Sequence, residues 1–497
     1  MSVYVCVICV IKIEKKRKRN RKLGSDFLKK NKKKKKKKRK KKEKSRSEVS
    51  TFLMMDKQLW LACKDGEIEA VTKLLQNTQI SPNWQDSDSK TPLVIACQNG
   101  HIEIVKLLLN DNRVDINQAD NLFGYTPLYA ACWKGHVDIV NLLLNDQRVD
   151  INYSKCGRTP FYIACHSGHI KVVELLLNDK RVDPNKAKKE GGFTPLYVAC
   201  ENGHIEVVKL LLNDQRVDVN KISGYCKTPL YIACENGGIE IVKLLLNDDR
   251  VDINEPQSEG AIPFHIACQN GHIEIVKLLL NDSRVDVNKA KFNGQTPFYI
   301  ACEFRHIEAV KLLLNDSRVD VNQANNDGIT PFCIACYQGH IEAVKLLLND
   351  QRVDINKANN EGATPFYIVC WGGLEIMKLL LNDKRVDVNQ AQREGATPFY
   401  HACDNRDLDT IEYILASGRE VNVNIKDDKG KTAIDIARIK GNREKGKREP
   451  EQSFQIKKRD YQKIVELLES FERNPNKTRF KLRMKLGLFG KNYINLV

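Results

Sequence analysis

A short element returns at nearly constant intervals along most of this 497-residue chain, and that recurrence limits the fold more than any other feature. Aligning the sequence on Thr-Pro places prolines at Pro92, Pro127, Pro160, Pro195, Pro229, Pro263, Pro297, Pro331, Pro365 and Pro398, with steps of 35, 33, 35, 34, 34, 34, 34, 34 and 33 residues. A period in this range builds an array of small stacked units rather than one globular core. Degenerate copies flank the series, one from about Lys57 (KQLWLACKDGEIEAVTKLL) and one at Thr432 (TAIDIARIKGN), which brings the total to about twelve.

Each unit reads as two short helices and an extended loop. In TPLVIACQNG, Thr91 suits the N-cap and Pro92 the first helical position, where its missing N–H costs nothing. Gly100 ends that helix, because glycine takes positive φ without strain. The second helix, HIEIVKLLLND, gathers Ile102, Ile104, Val105, Leu107, Leu108 and Leu109 on a broad apolar face and leaves Glu103 and Lys106 outside it. Neither helix is long enough to stand alone, so each pair must bury its apolar face against its neighbours. The recurring N-D-x-R-V-D-[IV]-N, as at Arg113, Asp115 and Asn117, followed by a Gly-containing turn, predicts a hairpin-like finger.

The pattern resembles the ankyrin repeat, whose signature is Thr-Pro-Leu-His followed by small residues, Gly-His, a Leu-rich helix and Asp-Val-Asn. The resemblance spans about residues 57 to 436 and implies an all-α repeat solenoid of helix-turn-helix units with β-hairpin-like fingers. Where the family has its signature His, this chain has Tyr129, Tyr162, Tyr197, Tyr231, Tyr299, Tyr367 and Tyr400, with His only at His265. One of the two small residues is Cys. The longer N-D-x-R-V loop accounts for the usual step of 34, and WGGLEI at Trp371 lacks one residue beside the turn, which predicts a local kink.

Sixteen cysteines would suggest a disulfide framework in a small secreted protein, but eleven recur at one repeat position: Cys63, Cys97, Cys132, Cys165, Cys200, Cys234, Cys268, Cys302, Cys336, Cys370 and Cys403. Helices stack at about 8–10 Å, beyond the Cα separation of about 7 Å that a disulfide tolerates. Free, buried thiols and a reducing compartment are therefore expected. The spacing Cys-x₃-His recurs as well, from Cys97/His101 to Cys336/His340, and raises the question of metal. A zinc site needs four converging ligands, whereas these residues recur with the frame, and Cys234 is followed by Gly238 in place of His. No metal and no cofactor are expected. No phosphate-cradling Gly-rich loop, Gly-x-Ser-x-Gly elbow or paired-His zinc motif is present, so the chain reads as a non-enzyme with no small-molecule substrate.

A binding function has better support. The residues just after the framework Cys and just before Thr-Pro vary while the frame does not. In the ankyrin family such positions line the concave face, so the resemblance implies a protein-binding groove bearing Tyr125, Trp133, Lys134, His166, Phe193, Glu201, Phe304, Tyr337 and Trp371. Aromatic residues on a polar surface are the usual anchors of protein interfaces. The expected function is a rigid scaffold or adaptor, a monomer that holds a protein partner.

Charge is concentrated at one end. Residues 1–53 carry 23 Lys/Arg against 4 Asp/Glu, a net +19 in a chain whose total is +18, which leaves the rest at −1. This basic tail is too charged to fold and is expected to be disordered. Three readings compete for it: a nuclear-import or nucleic-acid patch through residues 12–44; an acidic-membrane tether helped by acylation of Cys6 and Cys9; or a segment foreign to the working protein, with the start at Met54-Met55. The expected location is cytoplasmic, and nuclear if the tail is present. The remaining organisation reads as a solenoid over 54–442, with eleven full repeats and the first helix of a twelfth, a charged insertion loop over 443–460, and then 461–497. That last segment is expected to hold the final second helix and a capping helix in which Phe480 and Met484, like Leu482 and Leu486, lie at i, i+4.

Overall fold

The computed structural model describes residues 53–121, 124–446 and 450–488. The tail expected over 1–53, apart from Leu53, lies outside these residues, and so do Cys6 and Cys9. The chain divides into two compact units, Met1–Glu190 and Gly191–Val497.

In the first unit a helix over 53–65 pairs with Ile68–Leu75, Pro92–Asn99 with Ile102–Leu109, Pro127–Lys134 with Val137–Leu144, and Pro160–Ser167 with Ile170–Asn178. The second unit continues the same grammar from Pro195–Glu201 and Ile205–Asn213 to Pro398–Asp404 and Leu408–Ala416, then Ala433–Gly441 and Glu451–Arg473. Within each unit first helices pack on first helices and second on second. The described residues form no strand, and the architecture is an all-α repeat solenoid.

Why each first helix begins where it does is visible atom by atom. The Thr hydroxyl accepts the N–H three residues on, as from Thr91 to Val94 at 3.2 Å and from Thr330 to Cys333 at 3.1 Å. At Pro263 the preceding residue is Ile262, which has no such hydroxyl, and there His265 Nδ1 accepts the Ile262 N–H at 3.1 Å. At the other end of the helix, Gly100 has φ of +83°, and a Cβ on it would come within 2.8 Å of the His136 ring of the next repeat. Glycine is required there twice over, for its dihedral and for the close approach.

That contact explains the recurring His. His136 Nε2 lies 3.1 Å from the Gln98 carbonyl of the preceding repeat, His169 2.9 Å from that of Trp133, and His340 2.9 Å from that of Glu303. Each ring bridges the end of one first helix to the start of the next second helix. Among the described residues no group of three or more His, Cys, Asp or Glu is placed to hold a metal ion.

The N-D-x-R-V-D-[IV]-N stretch is a second bridge. Arg113 reaches back to the Leu75 carbonyl at 2.8 Å, Arg148 to Leu109 at 2.9 Å and Arg250 to Leu212 at 2.7 Å, so each satisfies a helix-end carbonyl that has no partner of its own. The final Asn reaches forward: Asn117 donates to the Arg148 carbonyl at 2.7 Å and accepts the Asp150 N–H at 2.8 Å. The fingers are hairpin-like turns rather than strand pairs. Many are closed by backbone bonds, such as Asn325 N–H to Ile329 O at 3.0 Å and Gly328 N–H to Asn325 O at 2.9 Å, and several are tied to the next, as by Asn360 N–H to Asp327 O at 2.9 Å.

All eleven framework cysteines are buried and free, as is Cys333; Cys156 and Cys226 are also free, the first exposed and the second half-buried. Burial pushes the Cys63 thiol up to about 12 and the deeper ones further.

One expectation needs correction at the C-terminal end. The segment read as a loop over 443–460 is helical from Glu451, in one helix that runs unbroken to Arg473. Pro450 and Glu451 make a favourable start, and the Glu, Gln, Lys and Arg that suggested a solvated loop are also good helix formers. The terminal helix Pro475–Lys485 docks as expected, against Leu408–Ala416 and Glu451–Arg473, and of the two apolar pairs it uses Leu482, with Thr478 beside it. Phe480 and Met484 are 49% and 60% exposed.

The missing residue at WGGLEI does not disturb the second helix, Leu374–Asn382. Instead the first helix stops at Val369, and Gly372 at φ of +104° absorbs the change.

Candidate functional site

The two variable positions picked out in the sequence lie eight residues apart, and the structure brings them together. Residues i, i+4 and i+8 around a first helix fall on one face. In one repeat they are Tyr125, Tyr129 and Trp133, with ring centroids 4.2 Å apart for the first pair and 6.2 Å for Tyr125 and Trp133. In others they are Lys227, Tyr231 and Glu235, where the outer two form an ion pair at 2.7 Å, and Gln295, Tyr299 and Glu303, where the outer two meet at 3.3 Å. Each repeat thus carries a three-residue column: a finger-base residue, a middle residue and a helix-end residue.

The middle residue is the Tyr that stands where the family signature has His. It belongs to the packed frame: Tyr129, Tyr197 and Tyr299 are each 2% exposed. Burial is the main cause raising these phenols, Tyr367 to about 12, so their hydroxyls remain protonated donors. Tyr400 donates to Asp427 at 2.9 Å, and the Tyr367 hydroxyl meets His401 Nδ1 at 3.0 Å. At His265 the loop-anchoring bond of the signature is present, from Nε2 to the Gln295 carbonyl at 3.2 Å.

The predicted site residues sort by this geometry. Trp133, Tyr337 and Trp371 are helix-end residues of their columns, 40%, 66% and 73% exposed. His166 and Glu201 occupy the same position and are exposed. Tyr125 and Phe193 are finger-base residues, half-buried against Tyr129 and Tyr197. Lys134 and Phe304 sit one residue beyond the column, with Lys134 Nζ 4.4 Å from the centre of the Trp133 ring and Phe304 48% exposed.

Three surface residues escaped the sequence reading. Tyr225 and Phe292, on fingertips, are 63% and 74% exposed, and Tyr225 lies 5.9 Å from Phe193. Their signal was available, since they are aromatics in short Gly-containing turns. His401, in place of an aliphatic residue, sits 4.7 Å from Tyr367 and 5.6 Å from Trp371. It extends that column into the neighbouring repeat.

A family model for ankyrin repeats, three copies at a time, matches overlapping segments 59–155, 147–223, 181–256, 230–325, 283–359, 317–392 and 366–447. The chain is an ankyrin-repeat protein. Among curated proteins none matches it significantly. Ankyrin repeats are generally protein–protein interaction modules, and the proteins that carry them are typically non-catalytic scaffolds. In this ankyrin array no described helix is long and apolar enough to cross a membrane.

Proposed function

We propose that this ankyrin array is a non-catalytic adaptor that holds a protein partner against the outer positions of its columns. The observation that carries the reading is the division of labour within each column. The middle residue is buried and nearly constant, while the flanking residues change from repeat to repeat and include the exposed rings of Trp133, Tyr337 and Trp371. A frame gains less in stability from large aromatic side chains left partly in water than from buried ones, whereas such rings are the usual anchors of protein interfaces.

The test is affinity capture with the full chain against the triple variant Trp133→Ala, Tyr337→Ala and Trp371→Ala. Partner recovery should fall about tenfold or more with an unchanged melting temperature. If melting falls in step with capture, the rings are core and the reading is lost. Capture that collapses as salt is raised, and ignores the variant, would assign the interaction to the basic residues 12–44 instead.

A further inference from the structure

Many surface cations of the array have a carboxylate close by. Second-helix lysines pair with glutamates three residues back, as Lys106 does with Glu103 at 2.7 Å, and loop arginines pair with aspartates, as Arg148 does with Asp146 at 2.6 Å. Several near Tyr125 and Trp133 have none among the described residues, as is true of others such as Lys171 on a second helix. Lys134, Lys155, Arg158 and Lys189 have no carboxylate partner among the described residues.

Lys155 and Arg158 share one finger, Lys189 stands on the next, and Lys134 lies over the Trp133 ring. A Cβ on Gly124, at the base of the finger that bears Tyr125, would lie 2.2 Å from Lys155 Cβ, and Lys155 Nζ reaches the Asn121 carbonyl at 2.5 Å. Arg158 acts electrostatically on Tyr129, the middle of the Trp133 column. The Lys189 N–H bonds the Cys156 carbonyl at 3.0 Å, which places the next finger alongside. Two of the four carboxylates on the same run of fingers are already engaged by backbone N–H groups. Asp120 is 4% exposed and occupied by the N–H groups of Gly124 and Tyr125, at 3.0 and 3.2 Å. Asp86 accepts the N–H groups of Asp88 and Lys90 on the preceding finger, and Asp88 and Glu190 are exposed.

Resting on the adaptor reading above, we infer that this face takes an acidic segment of the partner protein. Its carboxylates meet Lys134, Lys155, Arg158 and Lys189, and an apolar side chain lies against Trp133 and Tyr125. Charge complementarity selects the occupant, because four cations without carboxylate partners, one of them over the Trp133 indole, favour carboxylates and repel a basic segment. Aromatic and cationic groups together also suit single-stranded nucleic acid, but that binding stacks successive bases on accessible ring faces. Here one face of Tyr125 is covered by Tyr129, Lys134 lies over Trp133, and the Tyr125 and Trp133 rings are tilted by 45°. No run of parallel platforms is offered.

The test uses the full chain and a nonapeptide of alternating Glu and Leu whose central Leu is a photoactivatable diazirine analogue, with crosslinked residues read by mass spectrometry. Crosslinks are expected around Tyr125 and Trp133. Their yield should fall about tenfold in Lys155→Glu/Arg158→Glu and stay unchanged in Lys171→Glu, a cation on a second helix. Helical dichroism confirms that both variants fold. Crosslinks confined to residues 12–44, an equal yield in the double variant, or equal labelling by the Lys/Leu counterpart would each overturn the inference. So would displacement of the probe from Trp133 by oligothymidylate in preference to excess unlabelled Glu/Leu peptide. Partner capture that needs Trp133 but ignores Lys155→Glu/Arg158→Glu would leave the adaptor reading standing and remove this one.

Discussion

Ile262 shows how one residue can move a hydrogen bond from its own side chain to another. Elsewhere a Thr hydroxyl caps the first helix; here His265 Nδ1 accepts the Ile262 N–H while Nε2 donates to Gln295, an arrangement only the neutral ring can make. Burial, the largest cause, holds the His265 pKa down at about 4 against an ordinary 6.5. A base depressed in the folded state contributes stability above its unfolded value that is lost as pH falls from about 6.5 to about 4, up to about 3 kcal/mol. Denaturant midpoints against pH should show this loss in the wild type and a flatter profile in His265→Tyr, which carries the residue of the other repeats. Removal of an ordinary cap, as in Thr330→Ala, should cost about 1 kcal/mol at every pH, read from denaturant unfolding. The thiols offer a further residue-scale check. Cys156, exposed on a finger, should react with a thiol reagent in the native protein, whereas Cys234, Cys268 and Cys302 should react only after unfolding, because burial keeps them protonated and out of reach.

At the scale of elements, the helix ends decide how the array is joined. A second helix leaves carbonyls unpaired at its C-terminus, and the next repeat supplies an Arg for them, as Arg250 does for Leu212. The helix Leu408–Ala416 receives its arginines from a different source. Arg479 Nε reaches the Leu415 carbonyl at 3.2 Å and Arg483 Nε the Ala416 carbonyl at 2.8 Å, both from the terminal helix. Lys485 pairs with Glu412 at 2.6 Å on the same contact. The terminal helix therefore does for this repeat what a following loop does for the others. Arg479→Ala/Arg483→Ala should raise amide exchange in 408–416 and 475–485 while leaving repeats such as 297–315 protected. Sequence periodicity identified this helix and offered two apolar pairs for docking, and only packing shows that Leu482 goes inward while Phe480 and Met484 stay exposed. The loop read over 443–460 failed for a related reason: charged residues suit a solvated loop and a solvated helix face equally.

For the whole molecule, the adaptor reading predicts that binding and stability separate. Trp371→Ala should weaken partner capture with little change in melting, since that ring is 73% exposed, whereas Tyr299→Ala, which empties a site 2% exposed, should cost about 3–5 kcal/mol. Tyr125→Ala should affect both, because its ring packs on Tyr129. The sequence by itself determined the repeat, its helices, its caps and the burial of its cysteines, because these are local or periodic consequences of residue type. It also marked both ends of each column, through variation between copies. Only the tertiary structure decided that those ends share a column with the buried Tyr, that His and Arg side chains tie one repeat to another, and that Lys155 and Arg158 stand without carboxylates. Those facts depend on which residues meet across about 30 to 40 positions of chain, and a distance of that kind is set by the stacking of helices rather than by the neighbours in sequence.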